Sequence, residues 1–296
     1  MKNKTFTYQV FDTNCLVELD EEPPHDINEE ALHIAIQIAL LLNCKIFPVA
    51  QIMRKTVIDG SNTSGFQRTV LIAHDGYIET AQGKVRIETI ALEEDSARKV
   101  ADEHGRRVYS LDRLGIPLVE ITTAPDLQTA EQIKEAALHI GEVLRACQVK
   151  RGIGTIRQDV NISVTGGNRV EIKGFQDPKM MVETADNEIR RQQKLQELKH
   201  YFKDAHVSKL EDVTDIFSDT KSKIVGDNVK KDKKVYGFTV SGLHGIIGTE
   251  IQKGRRIGSD FADYAKHASG VKGMMHSDEA LAEKYGFSKK DIIDVQ

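Results

Sequence analysis

The sequence predicts an α+β fold in two parts, a core on a mixed or antiparallel sheet followed by a smaller α+β module. Three observations carry this. Asp75-Gly76 in VLIAHDGYIET and Gly166-Gly167 within Ile156–Lys173 each separate two β-rich runs, as hairpin turns do. Asp26 to Glu29 and Thr129 to Gln132 have capping-box spacing ahead of apolar runs, as helix starts do. The chain has 296 residues, room for about two domains at ~150 residues each, and its composition changes near residue 205.

The elements follow in order. Pro23-Pro24 closes an extended segment, and a helix runs from the Asp26 box to about Asn43. Its apolar run, Ala31–Leu42, predicts a well-buried helix. Met53–Arg68 has the small residues of a long loop. Gln67–Glu94 predicts strands, with a turn at Asp75-Gly76 and then Val85, Ile87 and Ala91 alternating with polar partners. Gly115–Thr122 predicts another strand. Thr129–Val149 predicts an amphipathic helix with Ile133, Ala136, Ile140, Leu144 and Cys147 on one face. Ile156–Lys173 is the second hairpin, and Val182–Phe202 a charged, more exposed helix. Past residue 205 come the lysine-rich Lys230–Lys234 and a Gly-rich stretch, Gly237–Gly258. These divide the chain into residues 1–205 and a module of 206–296.

Composition excludes several classes. Hydrophobic residues are 40% and charged residues 29%, so the chain is neither collagen-like nor disordered. The net charge is −4, which excludes a uniformly basic coat but leaves room for a local basic patch. Aromatics are 6% and Trp is absent, which argues against a single-strand stacking platform. Cys15, Cys44 and Cys147 form no paired motif, so a disulfide framework is not expected and a reducing cytosol is. Ala31–Leu42 is shorter than the ~20 residues a bilayer needs, and the N-terminus shows no signal-peptide core.

Four segments hold candidates for chemistry. Leu92-Glu93-Glu94-Asp95 ends a strand, so Glu94 faces one side and Glu93 and Asp95 the other. Such acids read either as a plain acidic strand end or, with a cation between them, as Mg²⁺ ligands. Glu120, inside an apolar strand, is either metal-bound or on an exposed edge. The second hairpin sets Arg157, Asp159 and Asn161 on one face and brings Glu171 and Lys173 against them. That face is either a solvated ion-pair surface or a convergent polar site. Met53–Arg68 holds Gly60, Gly65 and Ser64 between Arg54-Lys55 and Arg68. It lacks the P-loop pattern, and reads either as a surface loop or as a phosphate cradle.

These same segments carry a resemblance. Arg54–Thr69, Lys84–Lys99, Tyr109–Asp126, Lys150–Val164 and Asn168–Gln176 resemble the family of catalytic subunits of glutamyl-tRNA(Gln) amidotransferases, the archaeal E subunits and their bacterial B relatives. Gly248–Glu279 resembles the insertion domain that the archaeal members share with bacterial-type aspartyl-tRNA synthetases. An aspartyl-tRNA synthetase itself would explain only that tail. The resemblance implies a catalytic "cradle" over 1–205 and an insertion domain over 206–296. It also implies a chain cut at both ends, since the family's N-terminal Gly-Leu-Glu-[Ile/Val]-His signature and its helical and tail domains are not seen.

The activity implied is ATP-dependent conversion of Glu-tRNA(Gln) to Gln-tRNA(Gln) in the cytoplasm. The side-chain carboxylate is phosphorylated, and ammonia from a glutaminase/asparaginase-type D subunit attacks the acyl phosphate; the full-length proteins would form a heterotetramer. ATP and Mg²⁺ are the cofactors implied. By similarity, Glu94 and Glu120, then Glu93 and Asp159, would hold metal. Arg54, Lys55, Arg157 and Lys173 would meet phosphate or the substrate carboxylate, and Ser64, Gln67 and Arg68 would line the pocket for the aminoacylated 3′ end. Gly254-Arg255-Arg256 would face RNA or a neighbouring domain, or make surface salt bridges. The alternative is a non-catalytic tRNA-binding or scaffold fragment.

Overall fold

The computed structural model describes residues 4–103, 105–175 and 177–295. Gln176, the last residue of the Asn168–Gln176 block, lies outside them. The chain forms two compact units, Met1–Gln158 with Gly174–Val182, and Asp159–Lys173 with Glu183–Gln296.

The first unit contains β1 (Thr5–Gln9), α1 (Glu29–Leu41), β2 (Lys45–Thr56), β3 (Phe66–Thr80), β4 (Gly83–Glu94), β5 (Arg98–Glu103), β6 (Arg106–Ser110), β7 (Pro117–Thr123) and α2 (Ala130–Ala146). β2, β3, β4 and β7 form an antiparallel sheet in that order. Val70, Leu92, Val119 and Ile121 share one of its faces and join a core with Ile38 of α1 and Ala136 of α2. A second sheet, β1-β6-β5, pairs β1 parallel and β5 antiparallel to β6, so the α+β architecture is mixed, as expected.

Several expectations need correction. Asp75-Gly76 is not a turn, because β3 runs straight through it. The chain reverses at Ala81-Gln82, with Thr80 opposite Gly83. Asp75 takes a positive φ, +51°, within the strand. Gly76 is demanded by packing, since a Cβ there would lie 2.2 Å from Cys44 Sγ and 2.6 Å from the Leu42 carbonyl oxygen. The Tyr77 N–H donates to that same carbonyl at 2.9 Å. α1 is capped by Asn28, not Asp26; the Asn28 side chain accepts from the Ala31 N–H at 2.8 Å. It is buried on one side only, with Leu40 60% and Leu41 50% exposed. Met53–Thr56 belongs to β2 rather than to a loop. α2 starts at its Thr129 cap as expected but ends at Ala146, short of Val149.

The second unit holds most of a hairpin and of a long helix. β8 (Gln158–Ile162) and β9 (Val170–Phe175) form the expected hairpin, with Gly166 at φ +78° in its turn. α3 (Pro178–Leu198) begins four residues earlier than the sequence suggests. Its buried Gln192 donates to the Ile162 carbonyl at 3.1 Å and accepts from the Val164 N–H at 3.1 Å, which docks the hairpin on the helix. α4 (Lys223–Val229), α5 (Ile257–Ser269), α6 (Leu281–Tyr285), α7 (Lys289–Val295) and three two-stranded ribbons complete it. Leu198, Ile251 and Ile257 form its small buried cluster. Among the described residues, no helix is long and apolar enough to cross a membrane.

Candidate active site

The candidates between Arg54 and Glu120 gather at one end of the β2-β3-β4-β7 sheet. Strand alternation then sorts them onto two faces. Register places Lys55 opposite Gln67, Thr69 opposite Glu93, and Glu120 opposite Ala91. Lys55, Gln67, Thr69, Glu93 and Glu120 therefore share the face away from α1 and α2. Arg54, Arg68 and Glu94 share the other.

Glu93 is the centre of the first group and only 7% exposed. A carboxylate so buried needs partners, and it has three. Lys55 Nζ lies 3.1 Å away, Thr69 Oγ1 donates at 3.2 Å, and Gln67 Nε2 donates to its second oxygen at 3.3 Å. Gln67 Nε2 also reaches the Glu94 carbonyl at 2.8 Å, which holds the amide in place. The Lys55 side chain remains half exposed, so its ammonium can serve an incoming anion as well as Glu93. Thr69 escaped the sequence reading; its position two residues after Gln67, on the same face, was the available signal.

The second group lines a cavity of about 510 Å³, within the range of small-molecule pockets. Arg68 Nε donates to Glu94 Oε1 at 2.7 Å, and its terminal nitrogens reach the same oxygen and the His25 carbonyl. Arg54 stacks over the Phe66 ring at 5.1 Å, and Ser64 Oγ donates to the Phe66 carbonyl at 3.2 Å. The lining is also acidic, with Glu18, Asp20, Glu21 and Glu22. Nothing in the sequence marked these four acids as part of a site.

The loop between β2 and β3 is fixed from outside. Tyr8 Oη donates to the Gly60 carbonyl and Tyr109 Oη to the Asp59 carbonyl, both at 2.8 Å. Gly60, at φ +84°, lies so close to Phe6 that a Cβ would approach its ring to 2.5 Å. Asp59 Oδ1 accepts from the Ser61 N–H at 2.9 Å and the Ser61 hydroxyl at 2.6 Å. Burial pushes the Asp59 carboxyl up, but those bonds and the Arg107 charge outweigh it and hold the group below its usual range.

The remaining candidates stand as follows. Glu120 is exposed on β7, an edge strand. Asp95 pairs with Arg113. Arg157 is exposed just before β8. Asp159 and Lys173 belong to the second unit, where Lys173 Nζ lies 3.5 Å from Asp159 and 3.0 Å from Glu171 on a largely solvated face. Glu171, the larger influence, and Asp159 raise the Lys173 amine above the usual lysine range. Arg255 is tied to Asp260 and Asp263, each at 2.6 Å, the salt-bridging arrangement.

The hard carboxylate oxygens suit Mg²⁺. Among the described residues, no group of three or more His, Cys, Asp or Glu side chains is gathered tightly enough to hold a metal ion. The face with Glu93 and Glu120 offers one or two carboxylates, the number that a Mg²⁺ retaining most of its waters takes from a protein. Register makes Glu93, rather than Glu94, the acid on Glu120's face, and the two are diagonal neighbours on adjacent strands.

The sequence profile described as the GatB/GatE catalytic domain matches residues 8–243, most of the chain. The chain belongs to the GatB/GatE catalytic-domain family. It is 53% identical over 297 residues to the E subunit of glutamyl-tRNA(Gln) amidotransferase from Methanocaldococcus jannaschii, covering 98% of this chain and 47% of that protein. The same-named proteins of Archaeoglobus fulgidus, at 49% identity over 98% of this chain and 47% of theirs, and Sulfurisphaera tokodaii, at 46% over 100% and 48%, are similar too. The chain thus spans about half the length of these curated relatives. All the site candidates, from Arg54 to Lys173, fall inside the GatB/GatE match.

Proposed function

We propose that this chain carries the phosphorylation and amidation chemistry of a tRNA-dependent amidotransferase, converting Glu-tRNA(Gln) to Gln-tRNA(Gln). The observation that carries the reading is the pair of neighbouring acid–cation contacts, Lys55–Glu93 and Arg68–Glu94, at the end of one sheet inside the family match. The reaction joins a glutamyl carboxylate oxygen to the γ-phosphorus and releases ADP. Ammonia then forms the C–N bond to the acyl carbon, loses a proton, and displaces phosphate.

The residues serve that chemistry in distinct ways. Lys55, half exposed, meets anionic oxygen at the open side of the sheet, and Glu93 positions its ammonium. Gln67 and Thr69 keep Glu93 in place by donating to it. Arg68, held by Glu94, and Arg54 supply positive charge within the cavity. Glu93 and Glu120 are the groups that would hold Mg²⁺, which when bound neutralises phosphate charge.

The rest of the reading extends from the family. ATP is the phosphoryl donor, and a glutaminase/asparaginase-type D subunit supplies ammonia within a heterotetramer of the full-length proteins. Residues 1–205 act as the catalytic cradle and 206–296 as the insertion domain. A tRNA substrate makes the setting cytoplasmic.

The competing reading is tRNA binding without catalysis. One assay separates them. With Glu-tRNA(Gln), ATP, Mg²⁺ and ammonium, the proposal expects Gln-tRNA(Gln) to accumulate and its formation to need ATP. Bound tRNA with no product would leave only the competing reading.

A further inference from the structure

Lys230–Lys234 follows α4 and has no part in the chemistry above. Its backbone is a locked helix end. The Lys233 N–H donates to the Asn228 carbonyl at 3.1 Å and the Asp232 N–H to the Val229 carbonyl at 2.9 Å, with Asp232 at φ +58°. This is the bond pattern of a Schellman motif, so the lysines leave a fixed turn rather than a loose loop. Lys233 Nζ is further oriented by Asn228 Oδ1 at 3.2 Å.

A distant part of the chain adds to the patch. Lys272 lies beside Lys233. Its ammonium, then loss of water contact, then the further charges of Lys272 and Lys231 hold the Lys233 amine below the usual lysine range. Among the described residues, no carboxylate is paired with Lys230, Lys231, Lys233 or Lys272, and all four are exposed. Lys234 differs, for it turns to Asp212 at 2.7 Å. Arg255, the cation of the Gly254-Arg255-Arg256 motif, is likewise neutralised by Asp260 and Asp263. Asp232 is the one acid inside the turn and pairs with none of the four, so positive charge is in excess there, and like charges held together are unfavourable until an anion sits among them.

We propose that Lys230, Lys231, Lys233 and Lys272 form a binding surface for the phosphate backbone of RNA. The inference rests on the reading of the chain as a tRNA-dependent enzyme, which makes RNA the polyanion at hand. Lysines act as point charges without the planar fork of arginine. The contact therefore positions RNA without reading its sequence. It places RNA on the second unit, where the chemistry above has no residue.

The test is a salt titration of tRNA binding, followed by fluorescence anisotropy. It compares the chain with a Lys231→Ala/Lys233→Ala/Lys272→Ala variant and with Lys234→Ala as a control. These side chains are exposed, and an unchanged melting curve confirms folding. The triple variant is expected to weaken binding on the order of tenfold or more at ~0.1 M salt. It should flatten the slope of log K against log[salt] by about 1 per lysine, alike for different tRNA sequences, while Lys234→Ala changes little. Intact tRNA binding with an unchanged slope overturns the patch and leaves the enzymatic reading standing. A wild-type chain that binds no tRNA even at low salt overturns both. Losses confined to one tRNA sequence overturn the backbone assignment.

Discussion

The two faces at the end of the β2-β3-β4-β7 sheet hold the same chemical unit, one carboxylate and one cation, in opposite settings. Glu93 is buried and takes three donors from three different residues, with Lys55 reaching out to solvent. Glu94 is part-exposed and takes one arginine, which is itself held by the His25 carbonyl at a cavity wall. In the first pair the acid is fixed and the cation is available. In the second the cation is fixed and both partners face a cavity lined with further acids. Adjacent residues on one strand thus give two different sites, because alternation sends each to its own surroundings.

The largest expected effect tests which face does the chemistry. Lys55→Ala should lower the rate of Gln-tRNA(Gln) formation by about 10²-fold or more, the size seen when a charge-stabilising donor is removed. Arg54→Ala, which loses a ring contact on the other face, should cost far less. Equal losses would erase the distinction between the faces.

Next comes stability. Glu93→Ala leaves Gln67, Thr69 and Lys55 without their shared acceptor and should cost about 1–3 kcal/mol in a urea melt. The exposure of Lys55 keeps the figure below that of a fully buried pair. Glu94→Ala should cost about 1 kcal/mol or less, since Arg68 keeps the His25 carbonyl. The reverse order would show that burial is not what separates the two acids. Thr69→Val removes a single hydroxyl donor and should cost about 1 kcal/mol. An unchanged midpoint would mean that Glu93 needs only Lys55 and Gln67.

The smallest effect concerns acid. The Asp59 carboxyl is held below its unfolded value of 3.8. Its contribution is therefore fully present above that value and is lost as pH falls through the folded one. The stability difference between the chain and Asp59→Asn should be level well above 3.8 and shrink as pH falls through the lowered folded value. A difference that stays level throughout would mean that the Ser61 bonds, which asparagine can also accept, carry the whole effect.

Some of this was legible in the sequence. Glu93 and Glu94 could be assigned opposite faces from alternation alone, and the α2 start from Thr129, whose hydroxyl does accept from Gln132 N at 3.2 Å. Their partners could not be read, because Lys55 and Gln67 reach Glu93 only through the register of three strands. Asp75-Gly76 misled for a related reason. The dipeptide suits a turn, but what decides is the approach of Leu42 and Cys44 from the end of α1. β2 was obscured because it is an edge strand whose residues from Val49 onward are exposed, so no burial pattern marks it. The split of α3 and the hairpin between compact units is a matter of long-range packing, which local signals do not carry.

Tyr8 and Tyr109 hold the β2–β3 loop by its main-chain oxygens, at Gly60 and Asp59. Such a tether is blind to which side chains the loop carries. Ser64, at the cavity, could be exchanged while the path of the chain at residues 59 and 60 stayed put. Gly60, pressed against Phe6, and Gly65, at φ +76°, are denied that freedom. The two phenols thus let the loop's specificity be edited without redrawing its course.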